Sequence, residues 1–238
     1  MTPEGSSPGS AGRCPQLAAE GLHKSYGATP ALDGVEFSIQ PGEVVAVMGP
    51  SGSGKSTLLH CLGGIISPDS GTVRYGPHTL NALSDARRSA LRRTDFGFVF
   101  QFGQLVPELT ALENVALPLR LNGTKRKEAE RQAREWLERL EVEKVHGRRP
   151  GEISGGQGQR IAVARALATR PRVIFADEPT GALDSLNGER VLTLLTDAAR
   201  ENRAAVVLVT HEARVAAYSD REIVVRDGKV KDMSAGLI

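Results

Sequence analysis

An α/β fold built on a parallel sheet is what this sequence predicts, and three observations predict it. Short continuous apolar runs recur along the chain, at Val44 to Met48, Val173 to Ala176 and Val206 to Val209. Runs of that length and character suit strands covered on both faces, as in a parallel sheet. Between them lie segments with apolar residues at helical spacing, so strands and helices alternate. Finally, the first run feeds Gly49-Pro50-Ser51-Gly52-Ser53-Gly54-Lys55-Ser56, which fits G-x-x-x-x-G-K-[ST] and opens the helical stretch Thr57 to Leu62. A strand, a glycine loop and a helix thus stand in the order a phosphate-binding loop requires.

The bulk composition agrees with one large globular unit. With 238 residues and 40% hydrophobic content, the chain can bury a sizeable core. No window approaches the roughly 18 uninterrupted apolar residues of a membrane span, and no basic start leads into an apolar h-region, so the expectation is neither secretion nor membrane embedding by this chain alone. Cys14 and Cys61 make neither a metal spacing nor a disulfide framework, and are expected to be free thiols in a reducing cytosol. A net charge of +2 gives no argument for nucleic acid, and none is expected as a partner. Arg87-Arg88 and Arg92-Arg93 suit a solvated helix face.

Taken in order, residues 1–16 are rich in Gly, Ser and Pro with little to bury, and a disordered tail is expected. From Leu17 to Gln40, short apolar runs alternate with turn signals at Tyr26-Gly27 and Asp33-Gly34, which predicts a small antiparallel sheet. Ser67-Pro68-Asp69-Ser70-Gly71 breaks the helix after the glycine loop, and Thr72 to Gly76 suits an edge strand. Phe96 to Gln101 is a strand ending in a polar amide, and Leu109 to Val115 opens a helical region. Lys125 to Val142 places Ala129, Ala133, Trp136, Leu137 and Leu140 on one stripe, which predicts a core-facing helix. Ser154 is well placed to cap the helix running through Ile161 to Ala168. A further helix is predicted near Gly188 to Glu201, and Glu222 to Met233 forms two short strands about Asp227-Gly228, a favourable hairpin turn.

The chemistry gathers at loops and strand ends. Glycines 49, 52 and 54 let successive N–H groups and a helix N-terminus point at one anion, Lys55 reaches the β- and γ-phosphates, and Ser56 offers Mg²⁺ a hydroxyl. A nucleoside triphosphate is the expected ligand. Asp177-Glu178 ends a buried strand, where one carboxylate can hold Mg²⁺ while its neighbour handles water; otherwise adjacent acids merely repel. His211 ends another strand and points to the same sheet edge, where ligands of open α/β sheets collect. Ser154-Gly155-Gly156-Gln157 exposes donors suited to an anion, or is a simple capped helix. Tyr26 and Gln101, judged alone, suit a surface aromatic and a solvated loop residue.

These motifs, in this order, resemble the ATP-binding cassette (ABC) family of ATPases over residues 17–233. The resemblance implies a P-loop NTPase nucleotide-binding domain spanning 17–238, with a RecA-like core and parallel sheet, an N-terminal antiparallel β subdomain, and an α-helical signature subdomain inserted at about 102–170. It implies that Tyr26 stacks on adenine, that Gly49 to Ser56 with Thr57 binds the phosphates of ATP, and that Ser56, Gln101 and Asp177 serve Mg²⁺. It assigns catalysis to Glu178, His211 and Gln101. Two copies would bind head to tail, so that Ser154, Gly155, Gly156 and Gln157, together with Asp184 of the D-loop Gly181-Ala182-Leu183-Asp184, meet the nucleotide held by the other copy. Ile153 stands where the family's signature usually begins with Leu, and Gly158 where Gln or Arg is common, at a cost of about 1 kcal/mol in helix propensity.

Within the family, Phe100-Gln101, Leu105-Val106-Pro107, Leu112 to Leu119 and Ala176 to Asp184 are similar to the subgroup of macrolide exporters, lipoprotein-releasing complexes, antimicrobial-peptide transporters and the cell-division ATPase. That likeness implies an ATPase driving a separate transmembrane permease from the cytoplasmic face of the cell membrane, in export, lipoprotein release or mechanical transmission. A cell-division ATPase regulating cell-wall hydrolysis is the alternative. Soluble cassette ATPases of DNA repair or translation carry coiled-coil insertions, zinc modules or tandem cassettes, which this chain lacks. A small-molecule kinase would accept a substrate hydroxyl rather than position water, which the Asp177-Glu178 pair disfavours.

Overall fold

The computed structural model describes residues 16–101, 103–181 and 183–233. The expected tail, apart from Gln16, lies outside the described residues, as do Cys14 and Ala182. Two sheets carry the architecture. The smaller holds strands β1 (Leu17–Tyr26), β2 (Thr29–Ile39), β4 (Ser70–Tyr75) and β5 (His78–Thr79), all antiparallel, in the order β2-β1-β4-β5. The larger holds β3 (Val44–Met48), β6 (Phe96–Val99), β7 (Val173–Asp177), β8 (Ala205–Val209), β9 (Arg221–Arg226) and β10 (Lys229–Met233), ordered β10-β9-β3-β8-β7-β6. Every pairing in it is parallel except the β9–β10 hairpin.

Side chains alternate across this sheet, and the two faces fill different cores. Val44, Ile174, Ala176, Val206 and Leu208 face α3 (Ala111–Leu121), α4 (Arg126–Arg139), α5 (Gly155–Leu167) and α6 (Ser185–Glu201). Val45, Val47, Val173, Phe175, Val207 and Val209 face α1 (Lys55–Leu62) and the antiparallel sheet. Burial on both faces is why these strands read as unbroken apolar runs. The stripe Ala129, Ala133, Trp136, Leu137 and Leu140 is buried in the helical core. Thr110 opens α3 with a reciprocal capping box to Glu113. Of the four arginines on helix α2 (Asp85–Thr94), Arg87 and Arg93 are exposed, whereas Arg88 and Arg92 are half-buried and donate to the Ser67 hydroxyl and the Gly64 carbonyl, so only part of the expected solvated face is solvated.

Three local expectations are corrected. Asp33-Gly34 is not a turn: β2 runs through it, and the register steps from Val35 opposite Leu22 to Asp33 opposite His23, so Gly34, at φ 68°, is the extra residue of a bulge. The strand at Thr72 to Gly76 is not an edge, because the two-residue β5 pairs outside it. Helix α1 ends at Leu62 before Gly63, five residues ahead of the Ser67–Gly71 turn.

Candidate functional site

The glycine loop leaves β3 at Met48 and is wedged between two strands. Gly49 (φ 146°) and Gly54 (φ 106°) leave no room for a side chain: a Cβ would lie 2.1 Å from the Val225 carbonyl oxygen in the first case and 2.2 Å from that of Ala31 in the second. Pro50, Ser51 and Gly52 form the exposed crest. Lys55 is only 8% exposed, and its Nζ donates to the carbonyls of Gly49 (2.9 Å) and Pro50 (2.8 Å), holding the ammonium across the loop mouth. Helix α1 begins with Gly54 as its cap and no side-chain hydrogen bond at that end, so its first N–H donors stay open to an anion. Ser56 and Thr57 stand in that first turn, and Ser53 Oγ is buried without a partner.

The carboxylates converge from the neighbouring strands. Asp177 ends β7 opposite Val209 of β8. Glu178 follows at φ 46°, a left-handed conformation that costs a non-glycine residue free energy and gathers at functional sites. Its N–H donates to the Val209 carbonyl at 3.0 Å, and its Oε1 lies 2.7 Å from His211 Nδ1. A carboxylate oxygen only accepts, so this contact places the proton on Nδ1. His211 is 60% exposed on its side chain and Glu178 17%, so the imidazole forms the outer wall of the acid. Asp177 Oδ1 and Glu178 Oε2 are buried with no hydrogen-bond partner.

Buried carboxylate oxygens without partners are costly unless a cation or water meets them. Hard oxygen donors in small number are what Mg²⁺ takes when phosphates and water complete its shell. Asp177 Oδ1 is an oxygen of that kind, the Ser56 hydroxyl and the Gln101 amide offer the same hard donor chemistry, and among the described residues no group of three or more His, Cys, Asp or Glu competes as a metal cage. The donors therefore fit Mg²⁺ held jointly with phosphates. Gln101 lies two residues beyond the end of β6 and its side chain sits against Gly181, where a Cβ would be 2.7 Å from Gln101 Nε2.

The Ser154 turn is built differently. Ser154 Oγ accepts from Gln157 N at 3.3 Å while Gln157 Oε1 accepts from Ser154 N at 3.0 Å, a complete capping box on α5. Gly155 is exposed, and a Cβ on Gly156 would come within 3.6 Å of Asn187. Asn187 in turn donates its N–H (3.0 Å) and side-chain amide (2.7 Å) to Asp184, the cap of α6, and these bonds hold the Asp184 carboxyl below its usual range. Among the described residues no hydrogen bond joins this turn to the glycine loop. Tyr26 ends β1, 52% exposed, beside the segment whose Ala31 carbonyl abuts Gly54.

Two residues that the sequence did not single out secure the Gln101 loop from α5. Gln159, almost fully buried, donates to the Phe100 carbonyl at 3.1 Å. Arg165 donates to the carbonyls of Gly103 and Gln104, each at 2.9 Å, and burial lowers its pKa. Their signal was present, since each is a polar side chain among the apolar residues of an otherwise buried helix face.

Three kinds of comparison bear on this arrangement. A family model described as ABC transporter matches residues 32–181. The lipoprotein-releasing system ATP-binding protein LolD 2 of Caulobacter vibrioides is 45% identical over 221 residues, covering 91% of this chain and 97% of its own. LolD of Bordetella pertussis is 46% identical over 221 residues, covering 91% and 96%. Among solved structures, the ATP-binding cassette MJ0796, described as a dimer in a post-hydrolysis state bound to ADP and Pi, superposes with a TM-score of 0.84 at 40% identity, covering 92% of this chain and 99% of that one.

Proposed function

The chain belongs to the ABC transporter family and is an ATP-binding ATPase of it, and from that membership we propose that it powers a lipoprotein-releasing or closely related export system as a pair of identical subunits beneath a separate membrane permease. The observation that carries the site reading is the convergence, at one sheet edge, of the Lys55 loop with two buried, unpartnered carboxylate oxygens, Asp177 Oδ1 and Glu178 Oε2, and a histidine fixed on the other oxygen of Glu178. The names of the relatives support lipoprotein release, and the dimeric MJ0796 structure supports the pair. No helix among the described residues is long and apolar enough to cross a membrane; the peripheral place on the cytoplasmic face is proposed from the likeness to the ATP-binding proteins of lipoprotein-releasing systems.

In this reading Lys55 and the open N–H groups of α1 bind the β- and γ-phosphates, and Tyr26 carries the adenine. Ser56 and Asp177 would hold Mg²⁺, with Gln101 as a further oxygen donor, and the bound ion would neutralise charge on the phosphate oxygens. Glu178 orients the attacking water and accepts its proton at Oε2, the oxygen left free when Oε1 is taken by His211. Ser154, Gly155, Gly156 and Gln157, with Asp184, complete the site of the opposite copy.

Glu178→Gln tests this. The amide keeps the shape but loses the proton acceptor, so hydrolysis should fall by about 10² to 10⁴. Nucleotide binding should persist, and the variant should elute as a dimer only with ATP. Retained hydrolysis would reject the base role, and slow turnover without a dimer would reject the paired site. For the substrate, co-expression with its permease in cells depleted of their own lipoprotein-releasing ATPase should restore lipoprotein release; restored ATPase activity without release would return the chain to the wider export subgroup.

A further inference from the structure

The segment that carries Tyr26 is held from one side by a residue outside the motifs. Asp69, in the turn between α1 and β4, binds three successive residues of β1. Its own N–H donates to the His23 carbonyl at 2.8 Å, its Oδ1 accepts from Lys24 Nζ at 2.7 Å, and its Oδ2 accepts from Ser25 N at 2.7 Å. These are the three residues before Tyr26. The β1–β4 ladder stops at His23 opposite Ser70, so Asp69 takes over where backbone pairing ends. On the other side the β1–β2 register shifts between Lys24 and Ser25, and Ser25 faces Pro30, which has no N–H to give. Without Asp69 the last residues of β1 would be held weakly on both sides.

The Lys24 end of this clamp also reaches the tyrosine. Lys24 Nζ, fixed on Asp69, lies 5.9 Å from the centre of the Tyr26 ring, within range for a cation against an aromatic face. The ring is half exposed, so its position depends largely on the backbone that bears it. The Lys24 and Ser25 hydrogen bonds also hold the Asp69 carboxyl below its usual range, as expected for a carboxylate kept ionised at this post.

We propose that Asp69 is a positioning residue for the nucleotide base: by clamping residues 23–25 it sets the place of Tyr26, and so how strongly the chain prefers a triphosphate carrying a purine over a bare one. This rests on the reading of Tyr26 as the base platform. The phosphate end of the ligand is held by Lys55 and the glycine loop, which Asp69 does not touch, so the two contributions separate.

The experiment compares affinities for ATP and for inorganic triphosphate, each with Mg²⁺, in the full chain. Tyr26→Ala should cost ATP about tenfold and triphosphate little, in line with stacking on an aromatic side chain. Asp69→Ala should cost ATP about three- to tenfold with triphosphate within about twofold, a part or all of the stacking contribution. Asp69→Asn, which keeps an acceptor for Ser25 N, should recover much of the loss. In a Tyr26→Ala background, Asp69→Ala should do nothing more, since positioning has no object once the ring is gone. An unchanged ATP-to-triphosphate ratio in Tyr26→Ala overturns the platform reading and the proposal with it. A ratio lost in Tyr26→Ala but kept in Asp69→Ala overturns the proposal alone, as does an equal loss for both ligands.

Discussion

Two helix N-termini in this chain present backbone N–H groups at glycine-rich turns, and they are finished in opposite ways. At α1 the cap is Gly54, no side chain satisfies the first donors, and Lys55 is buried at the loop mouth. At α5 the cap is Ser154, and Ser154 and Gln157 satisfy each other's backbone. The glycines differ likewise. Gly49 and Gly54 are pressed against carbonyl oxygens at distances no Cβ could hold, whereas Gly156 has only the Asn187 side chain nearby at an ordinary distance. The first turn is a receptor that the fold leaves open and rigid. The second is stable by itself and exposed, a surface suited to something brought from outside. A helix that must sit in water before its partner arrives has to satisfy its own donors, and a helix built to seize an anion must not.

The largest expected effect lies in the open turn. Lys55→Ala removes the fixed cation and two hydrogen bonds to the loop carbonyls, and charge-assisted bonds of that kind are worth about 1.5–3 kcal/mol each. ATP affinity measured by titration calorimetry should drop by about 10² or more, leaving no binding at sub-millimolar nucleotide. An affinity within a few-fold of the parent would mean the two turns do not differ as argued. Next comes the closed turn. Gly156→Asp has room in the fold but sets a carboxylate where the opposite copy's phosphates would arrive. Single-chain ATP affinity should stay within about threefold, while loss of one anion-stabilising site should cost about 10² or more in turnover and abolish the ATP-dependent dimer. Equal loss of single-chain binding would show that this turn serves its own chain's nucleotide.

The contrast also marks what the sequence could carry. The glycine loop, the buried strands and the amphipathic α4 were legible because each rests on a local pattern: fixed glycine spacing, unbroken apolar runs, a 3.6-residue stripe. The capping box at Ser154 was legible in its S-x-x-Q spacing, with Ser154 at the cap and Gln157 three residues on, although the glycines between them let the same four residues suit an anion site. Other features depend on where distant segments meet. Glu178 carries no sequence mark of its φ of 46°, and its bond to His211 joins residues 33 apart. Asp33-Gly34 looked like a turn because composition cannot tell a turn from a bulge inside a strand; the pairing partner decides. Asp69 looked like part of a helix-breaking turn, and only the return of β4 alongside β1 brings it under Ser25.

The smallest expected effect tests how well the closed turn is finished. Gly158 is the fourth residue of α5 and Ile153 precedes its cap, the two positions that a hydrophobic staple joins. With glycine there the staple has one arm. Gly158 is not in the left-handed region, and an added Cβ would meet only Ile153 Cδ1, at 3.9 Å, an ordinary van der Waals contact. Gly158→Ala should therefore stabilise the chain by about 0.5–1 kcal/mol, from helix propensity and from the smaller entropy of the unfolded chain. For a chain of this size that is a rise of roughly 1–4 °C in melting temperature, readable by calorimetry. Because the donors of Gly155 and Gly156 are untouched, ATP turnover should stay within about twofold of the parent. A lower melting temperature would mean that the first turn of α5 needs glycine for a backbone shape other than the helical one, and a large fall in turnover at unchanged stability would mean that the missing staple is itself required for the two copies to close.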